Sequence, residues 1–106
     1  MRLFLYGTLL RPAVLARFAG RALPLVPCEA PGWRRVRLRG TPFPTLRRAR
    51  GAVAGAMVDA DAQALRRLNA YEGMRYRLRR VTLRAGGRTT GAHAWIAAAA
   101  THRPWP

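Results

Sequence analysis

A chain of 106 residues, half of them apolar, can build one modest hydrophobic core, so a single domain spanning residues 1–106 is expected. Every basic residue is arginine, twenty against four acids, giving a net charge of +16; with no serine and no lysine, serine nucleophiles, phosphate-gripping lysines and Schiff-base chemistry are excluded. One cysteine, Cys28, cannot form an internal disulfide, and with His93 and His102 it is too little and too widely spaced for a metal site, so no metal is expected.

The opening Arg2–Tyr6 is short, apolar and aromatic, and predicts a strand that stops at Gly7. Leu10, Val14, Leu15 and Phe18 then recur at helical spacing between Leu9 and Ala19, with Gly20 as the stop. Prolines and glycines punctuate residues 21–46, which predicts short strands joined by turns, Leu23–Val26 and Trp33–Leu38 being the better candidates. Gly51–Val58 reads as a strand of small and β-branched residues, and Gly55 in its interior implies that something approaches closely. Asp59 or Asp61 can N-cap a helix that runs to about Tyr71 and is closed by Gly73. Tyr76–Leu83 alternates, Gly86-Gly87 signals a hairpin, and Thr89–Ile96 answers as the return strand. Beyond Ala97–Ala100 the tail is expected to be irregular. These elements predict an α+β fold, a small barrel or curled sheet with two helices. No apolar stretch approaches the roughly 20 residues that cross a bilayer, so a soluble, cytoplasmic protein with no membrane partner is expected.

The charge invites a nucleic-acid reading. Against it, the arginines spread from Arg2 to Arg103 in local pairs such as Arg34-Arg35 and Arg79-Arg80, and alanine is equally abundant, a pattern that resembles base-composition drift. Surface arginine also serves solubility and the steering of anionic substrates.

Acid–base chemistry must come from Glu29, Asp59, Asp61, Glu72, the histidines or a tyrosine. Leu65, Leu68 and Glu72 fall at i, i+3 and i+7, so a helix that persists puts Glu72 on the stripe that faces the core. Partial desolvation and the negative end of the helix dipole would both raise its pKa toward the range of a usable base. The plainer reading turns Glu72 to solvent, paired with Arg75 or Arg77. In the turn Tyr6-Gly7-Thr8-Leu9, glycine allows positive φ and close approach, and the amides of Thr8 and Leu9, if they open the following helix, are free donors for a carboxylate or carbonyl oxygen. An ordinary strand-to-helix connection fits that turn equally well.

Leu3-Phe4-Leu5-Tyr6-Gly7-Thr8-Leu9 followed by Arg11 resembles the Tyr-Gly-Ser/Thr-Leu signature of the γ-glutamyl cyclotransferase-like superfamily, which includes AIG2-like proteins and γ-glutamylamine cyclotransferases. Leu65-Arg66-Arg67-Leu68-Asn69-Ala70-Tyr71-Glu72-Gly73, then Tyr76-Arg77 and Val81, is similar to that family's Leu-x-x-Leu-Asp-x-Tyr-Glu-Gly...Tyr-x-Arg block. Phe18-Ala19-Gly20, Pro44-Thr45-Leu46 and Val53-Ala54-Gly55 stand in order between them. The resemblance implies a small mixed, mostly antiparallel β-barrel with flanking helices, Glu72 as general acid/base, a substrate site at Tyr6, Gly7, Thr8, Leu9 and Tyr76, a small γ-glutamyl compound as partner, and no cofactor. The implied chemistry closes 5-oxoproline by attack of the substrate's α-amine on its own γ-carbonyl. Asn69 departs from the family's aspartate, and Phe43 from its tyrosine before Pro44. Two alternatives stand beside this reading: a non-catalytic binding module of the same fold, and a basic nucleic-acid-binding protein. His93 and Cys28 are expected to be structural, and Trp33 and Trp105 have no assigned role.

Overall fold

The structure, a computed structural model, describes residues 1–105. Strand β1 (Arg2–Leu5) leads into a 3₁₀ turn (Thr8–Leu10) and helix α1 (Pro12–Ala19). The single helix expected from Leu9 is thus split. Arg11 lies before a proline and is held extended, while Pro12 enters the new helix at its first turn, where a missing N–H costs nothing. Gly20, at φ 88°, closes α1 by donating its amide to the Ala16 carbonyl at 3.0 Å.

The proline-rich middle is less broken than its composition suggests. Strands β2 (Val26–Leu38) and β3 (Pro44–Asp59) form one long antiparallel hairpin, from Val26 opposite Met57 to Arg37 opposite Pro44. At Pro31 and Gly32, within the stretch expected to be short strands joined by turns, the ladder instead shifts register between Pro31 and Trp33, with Gly32 at φ 85°; a bulge absorbs residues that a regular ladder would reject. Helix α2 (Ala62–Glu72) follows, capped by Asp61, whose carboxylate accepts from the Ala64 amide at 2.8 Å, and closed by Gly73. Strands β4 (Tyr76–Ala85) and β5 (Arg88–Ala97) pair through the predicted glycine turn. The tail is a correction: residues Ala100–Pro104 form a strand, β6, that pairs with β2 through Leu38 and Val36.

The sheet runs β3-β1-β5-β4-β2, and a direct β2–β3 pairing closes those strands into a barrel, with β6 added on the outside of β2. Among the described residues only the β1–β5 contact is parallel; the other pairings are antiparallel. Period-two alternation along the strands separates two cores. Phe4, Tyr6, Trp33, Leu46, Val81, Leu83 and Ile96 fill the barrel, while Leu3, Leu5, Val58 and Trp95 face outward against Leu15, Ala19, Ala64 and Leu68 of the helices.

Gly55 sits where β3 lies tightly against the end of β1. A Cβ there would collide with the Leu5 carbonyl oxygen and come within 2.8 Å of Cε1 of Phe4, so the two strands could not keep their spacing. Gly55→Ala is therefore expected to lower stability by about 2 kcal/mol or more, in the range of core overpacking. A urea titration would show it as a fall in the midpoint with the slope unchanged.

Candidate active site

Where β1 runs out, the turn, the end of α2 and the start of β3 enclose a cleft of about 160 Å³. All the residues singled out from sequence line it: Tyr6, Gly7, Thr8, Leu9, Glu72 and Tyr76. Phe43, Pro44, Tyr71 and Trp95 join them.

The first wall is the turn. Tyr6 continues the inward-facing set of β1, and its buried hydroxyl donates to the Trp95 carbonyl on β5. The Arg35 guanidinium donates to the Tyr6 carbonyl at 2.9 Å, fixing the backbone where the strand ends. Gly7 sits at φ −135°, so its value is space rather than a left-handed conformation; a Cβ would lie 3.0 Å from Cγ of Pro44. The amides of Leu10 and Arg11 close the 3₁₀ turn on the carbonyls of Gly7 and Thr8. The amides of Gly7, Thr8 and Leu9 have no hydrogen-bond partner among the described residues. They begin a short 3₁₀ turn and not the α-helix that the sequence suggested.

The second wall is the end of α2. Leu65 and Leu68 pack on the outer core as their spacing predicts, and Glu72 follows them onto the same face, half-buried at the cleft. Pairing with Arg75 or Arg77 is not observed: the ion pairs among the described residues are Arg2–Asp59, Arg21–Asp61 and Arg84–Glu29. Burial raises the Glu72 pKa from 4.5 to about 7. Its charge is felt by both neighbouring phenols. Tyr76 is pushed up to about 12, mainly by burial and then by Glu72, and Tyr6 is raised by burial, then by Tyr76 and Glu72.

Hydrogen bonds tie these walls together. Tyr71, next to Glu72, shares a bond of 2.8 Å with the Thr8 hydroxyl, and its ring packs 4.2 Å from that of Phe18. Tyr76 donates to the Pro44 carbonyl at 2.7 Å. The Trp95 indole donates to the side-chain oxygen of Asn69 at 3.0 Å. An indole N–H asks only for an acceptor, which an amide oxygen supplies as an aspartate would, so the departure at Asn69 preserves this link. Sequence reading assigned no site role to Tyr71, Trp95 or Asn69. Tyr71 and Asn69 lie inside the sequence block around Glu72, so that signal was available; Trp95 carried none beyond its alternation.

His93 and Cys28 do not line the cleft. Among the described residues no three His, Cys, Asp or Glu side chains converge as a metal site would need, and no helix is long and apolar enough to cross a membrane.

A family model described as γ-glutamyl cyclotransferase, AIG2-like, matches residues 3–105. Among curated proteins, none matches the chain significantly. Among solved structures, an Arabidopsis thaliana protein is 27% identical with a TM-score of 0.79, over 91% of this chain and 61% of its own. A γ-glutamyl cyclotransferase is 13% identical with a TM-score of 0.81, covering 94% of this chain and 68% of that one. A mouse AIG2-like protein is 19% identical with a TM-score of 0.78, covering 99% and 84%. The chain therefore spans between about three fifths and five sixths of the length of these structures. The last two likenesses establish the fold.

The raised Glu72 pKa has a consequence for stability. The folded state holds a proton that the unfolded chain releases at lower pH, so stability falls as pH rises from 4.5 through about 7. Glu72→Gln should remove that loss: near pH 8 the variant should be more stable than the parent by up to about 3 kcal/mol, less if water reaches the carboxylate. Below pH 4 the gap should close. Denaturation midpoints at both pH values test this, and an equal difference at the two would contradict a buried carboxyl.

Proposed function

The chain belongs to the γ-glutamyl cyclotransferase, AIG2-like family, and from that premise we propose that it cleaves small γ-glutamyl amines or peptides, releasing 5-oxoproline. One observation carries the reading: a half-buried carboxyl that has no ion partner among the described residues, at a pKa of about 7, lines a cleft whose other wall offers backbone amides unpaired among those same residues.

The chemistry asks little more of the protein. Free amides of Gly7, Thr8 and Leu9 suit the glutamyl carboxylate or the oxyanion that forms at the γ-carbonyl, because backbone donors held in place need no reorganisation as charge develops. Glu72, ionised in part near neutral pH, accepts a proton from the substrate's α-nitrogen, which then attacks the γ-carbonyl carbon and closes a five-membered lactam. As the tetrahedral intermediate collapses, the C–N bond to the leaving group breaks and the protonated Glu72 returns a proton to the departing nitrogen. Overall the α-nitrogen gives up two protons and the leaving amine gains them, so atoms and charge balance without a cofactor. Cyclisation is already intramolecular, and a cleft that holds the substrate folded over supplies the remaining entropic advantage. Tyr6 and Tyr76 serve as walls in this scheme: their hydroxyl protons are engaged with Trp95 and Pro44, and their raised pKa values keep them neutral.

Incubation with γ-glutamyl amines and γ-glutamyl dipeptides should yield 5-oxoproline, measured by chromatography; no product from any member of the panel would sink the proposal. Glu72→Gln should keep its fold and lose about 10²–10⁴-fold in kcat/KM, the usual worth of a positioned acid–base group. In the parent, kcat/KM should rise with pH through an apparent pKa near 7, since the base form is the active one. A profile flat between pH 5.5 and 8.5 would remove Glu72 from the base role.

The +16 surface is also expected to hold polyanions at low salt. That association should collapse as salt approaches 200 mM, and sequence-selective RNA or DNA binding surviving at that salt would favour a nucleic-acid role instead.

A further inference from the structure

We infer that the pocket formed by the end of β2, the turn into β3 and strand β6 is a second ligand site, which binds a short chain of linked phosphates such as a pyrophosphate or triphosphate group. The inference does not rest on the cyclotransferase reading, and none of the residues that line this pocket lines the cleft of Glu72.

Several arginines of this protein have work inside the fold. Arg2, Arg21 and Arg84 meet carboxylates, Arg35 and Arg47 donate to main-chain carbonyls, and Arg17 and Arg48 lie over aromatic rings. The guanidinium groups of Arg37, Arg39 and Arg103 do none of these among the described residues. All three line one open pocket of about 560 Å³, a volume within the range of small-ligand sites. No Asp or Glu is among the lining residues. Three like charges held together in a protein already at +16 repel one another, and an anion placed between them relieves that repulsion.

Alternation and register bring them together. Val36 and Leu38 are buried, and Arg37 and Arg39 alternate with them, about 7 Å apart at the rise of a strand. Strand β6 pairs with β2 so that Leu38 stands opposite Ala100 and Val36 opposite Pro104, which sets Arg103 alongside. The frame beneath is fixed by hydrogen bonds. Arg47 donates to the carbonyls of Ala100 and Thr101, both at 3.1 Å, while the Thr101 hydroxyl donates to the Arg37 carbonyl at 2.9 Å and accepts from the Arg103 amide at 3.2 Å. In the turn, the Thr41 hydroxyl donates to the Leu38 carbonyl and accepts from the Phe43 amide, both at 3.1 Å. The amide of Gly40, at φ 73°, has no partner among the described residues and is a further donor among the lining residues.

Charge selects the ligand. A guanidinium grips phosphate oxygens through two parallel hydrogen bonds, and three of them answer more charge than the roughly −1.5 to −2 that a single phosphate group carries. Linked phosphates supply the remainder in a small volume. A nucleic-acid strand asks instead for basic residues interleaved with aromatic platforms along a groove, and no aromatic residue lines this pocket.

The test is calorimetric titration at about 200 mM salt, where diffuse polyanion association has collapsed, with tripolyphosphate, adenosine triphosphate, orthophosphate and a short oligouridylate. Tripolyphosphate should saturate at one site per chain and bind about tenfold or more tightly than orthophosphate. Equal or weaker binding of adenosine triphosphate assigns the site to inorganic phosphate chains, and tighter binding assigns it to nucleotides. The triple variant Arg37→Gln, Arg39→Gln, Arg103→Gln should weaken tripolyphosphate binding about tenfold or more. The double variant Arg39→Gln, Arg103→Gln changes exposed side chains only, so its fold is not at issue, and it should weaken binding about threefold or more. Arg66→Gln, Arg79→Gln, Arg88→Gln removes the same charge from exposed positions outside the pocket and should change affinity less than about twofold. Equal losses in the two triple variants, or no saturation with tripolyphosphate, would overturn the inference. Tighter binding of the oligouridylate than of tripolyphosphate would overturn it too, in favour of a nucleic-acid surface.

Discussion

A carboxylate with no cation beside it is the constraint around which the cleft is arranged. In a chain of twenty arginines and four acids, a free carboxylate would be expected to find a guanidinium, and Glu29, Asp59 and Asp61 each do. Glu72 has none among the described residues, although Arg75 and Arg77 follow it closely in sequence. An arginine partner would have stabilised the ionised form and lowered the pKa. Without one, burial acts unopposed and leaves the group near 7, where both protonation states are accessible. The helix places it there. Eleven residues from Ala62 to Glu72, started by Asp61 and stopped by Gly73, bring the carboxyl to the cleft on the face of Leu65 and Leu68 and then end.

Closure of the barrel explains how the other wall comes to face it. Because β1 lies between β3 and β5, its alternation sends Phe4 and Tyr6 inward and Leu3 and Leu5 toward the helices. Gly55 permits the tight β1–β3 spacing, and the chain leaves β1 directly into a turn whose early amides have no acceptor. Trp95 serves both cores: its outward ring packs with the helices and its indole holds Asn69, while its main-chain oxygen receives the Tyr6 hydroxyl.

Much of this was legible in the amino-acid sequence, for physical reasons that differ from residue to residue. The α2 stripe could be read because helical periodicity is local, and Gly55 because a glycine inside a strand weakens it unless a neighbour needs the space. The order of elements was legible through local spacing, caps and turn residues, and the residues of the cleft through resemblance, which carries long-range information that periodicity lacks. Three features escaped. The long β2–β3 hairpin was hidden because its prolines and glycines look like turns until a partner strand shows that they form a bulge. Strand β6 is polar and short, and exists through pairing with Leu38 and Val36 rather than through propensity. Tyr71 was overlooked because its role depends on Thr8, 63 residues away, and no local rule joins them.

That distance bears on how the site keeps its shape. The turn, the end of α2, the start of β3 and the outer face of β5 are remote in sequence, and hydrogen bonds fasten them in pairs: Thr8 to Tyr71, Asn69 to Trp95, Pro44 to Tyr76, Tyr6 to Trp95. Each such bond contributes on the order of 1 kcal/mol to stability, a modest share for a domain held mainly by two apolar cores. Its weight in reactivity is larger, because a displacement of about 1 Å between reacting groups can cost 10²-fold in rate. Three of these bonds occupy the Tyr6 and Tyr76 hydroxyl protons and the Trp95 indole proton, which would otherwise compete for substrate or bind water. In so basic a protein the cleft is set apart by what it withholds: among the described residues no arginine lines it, and Glu72 pairs with no guanidinium.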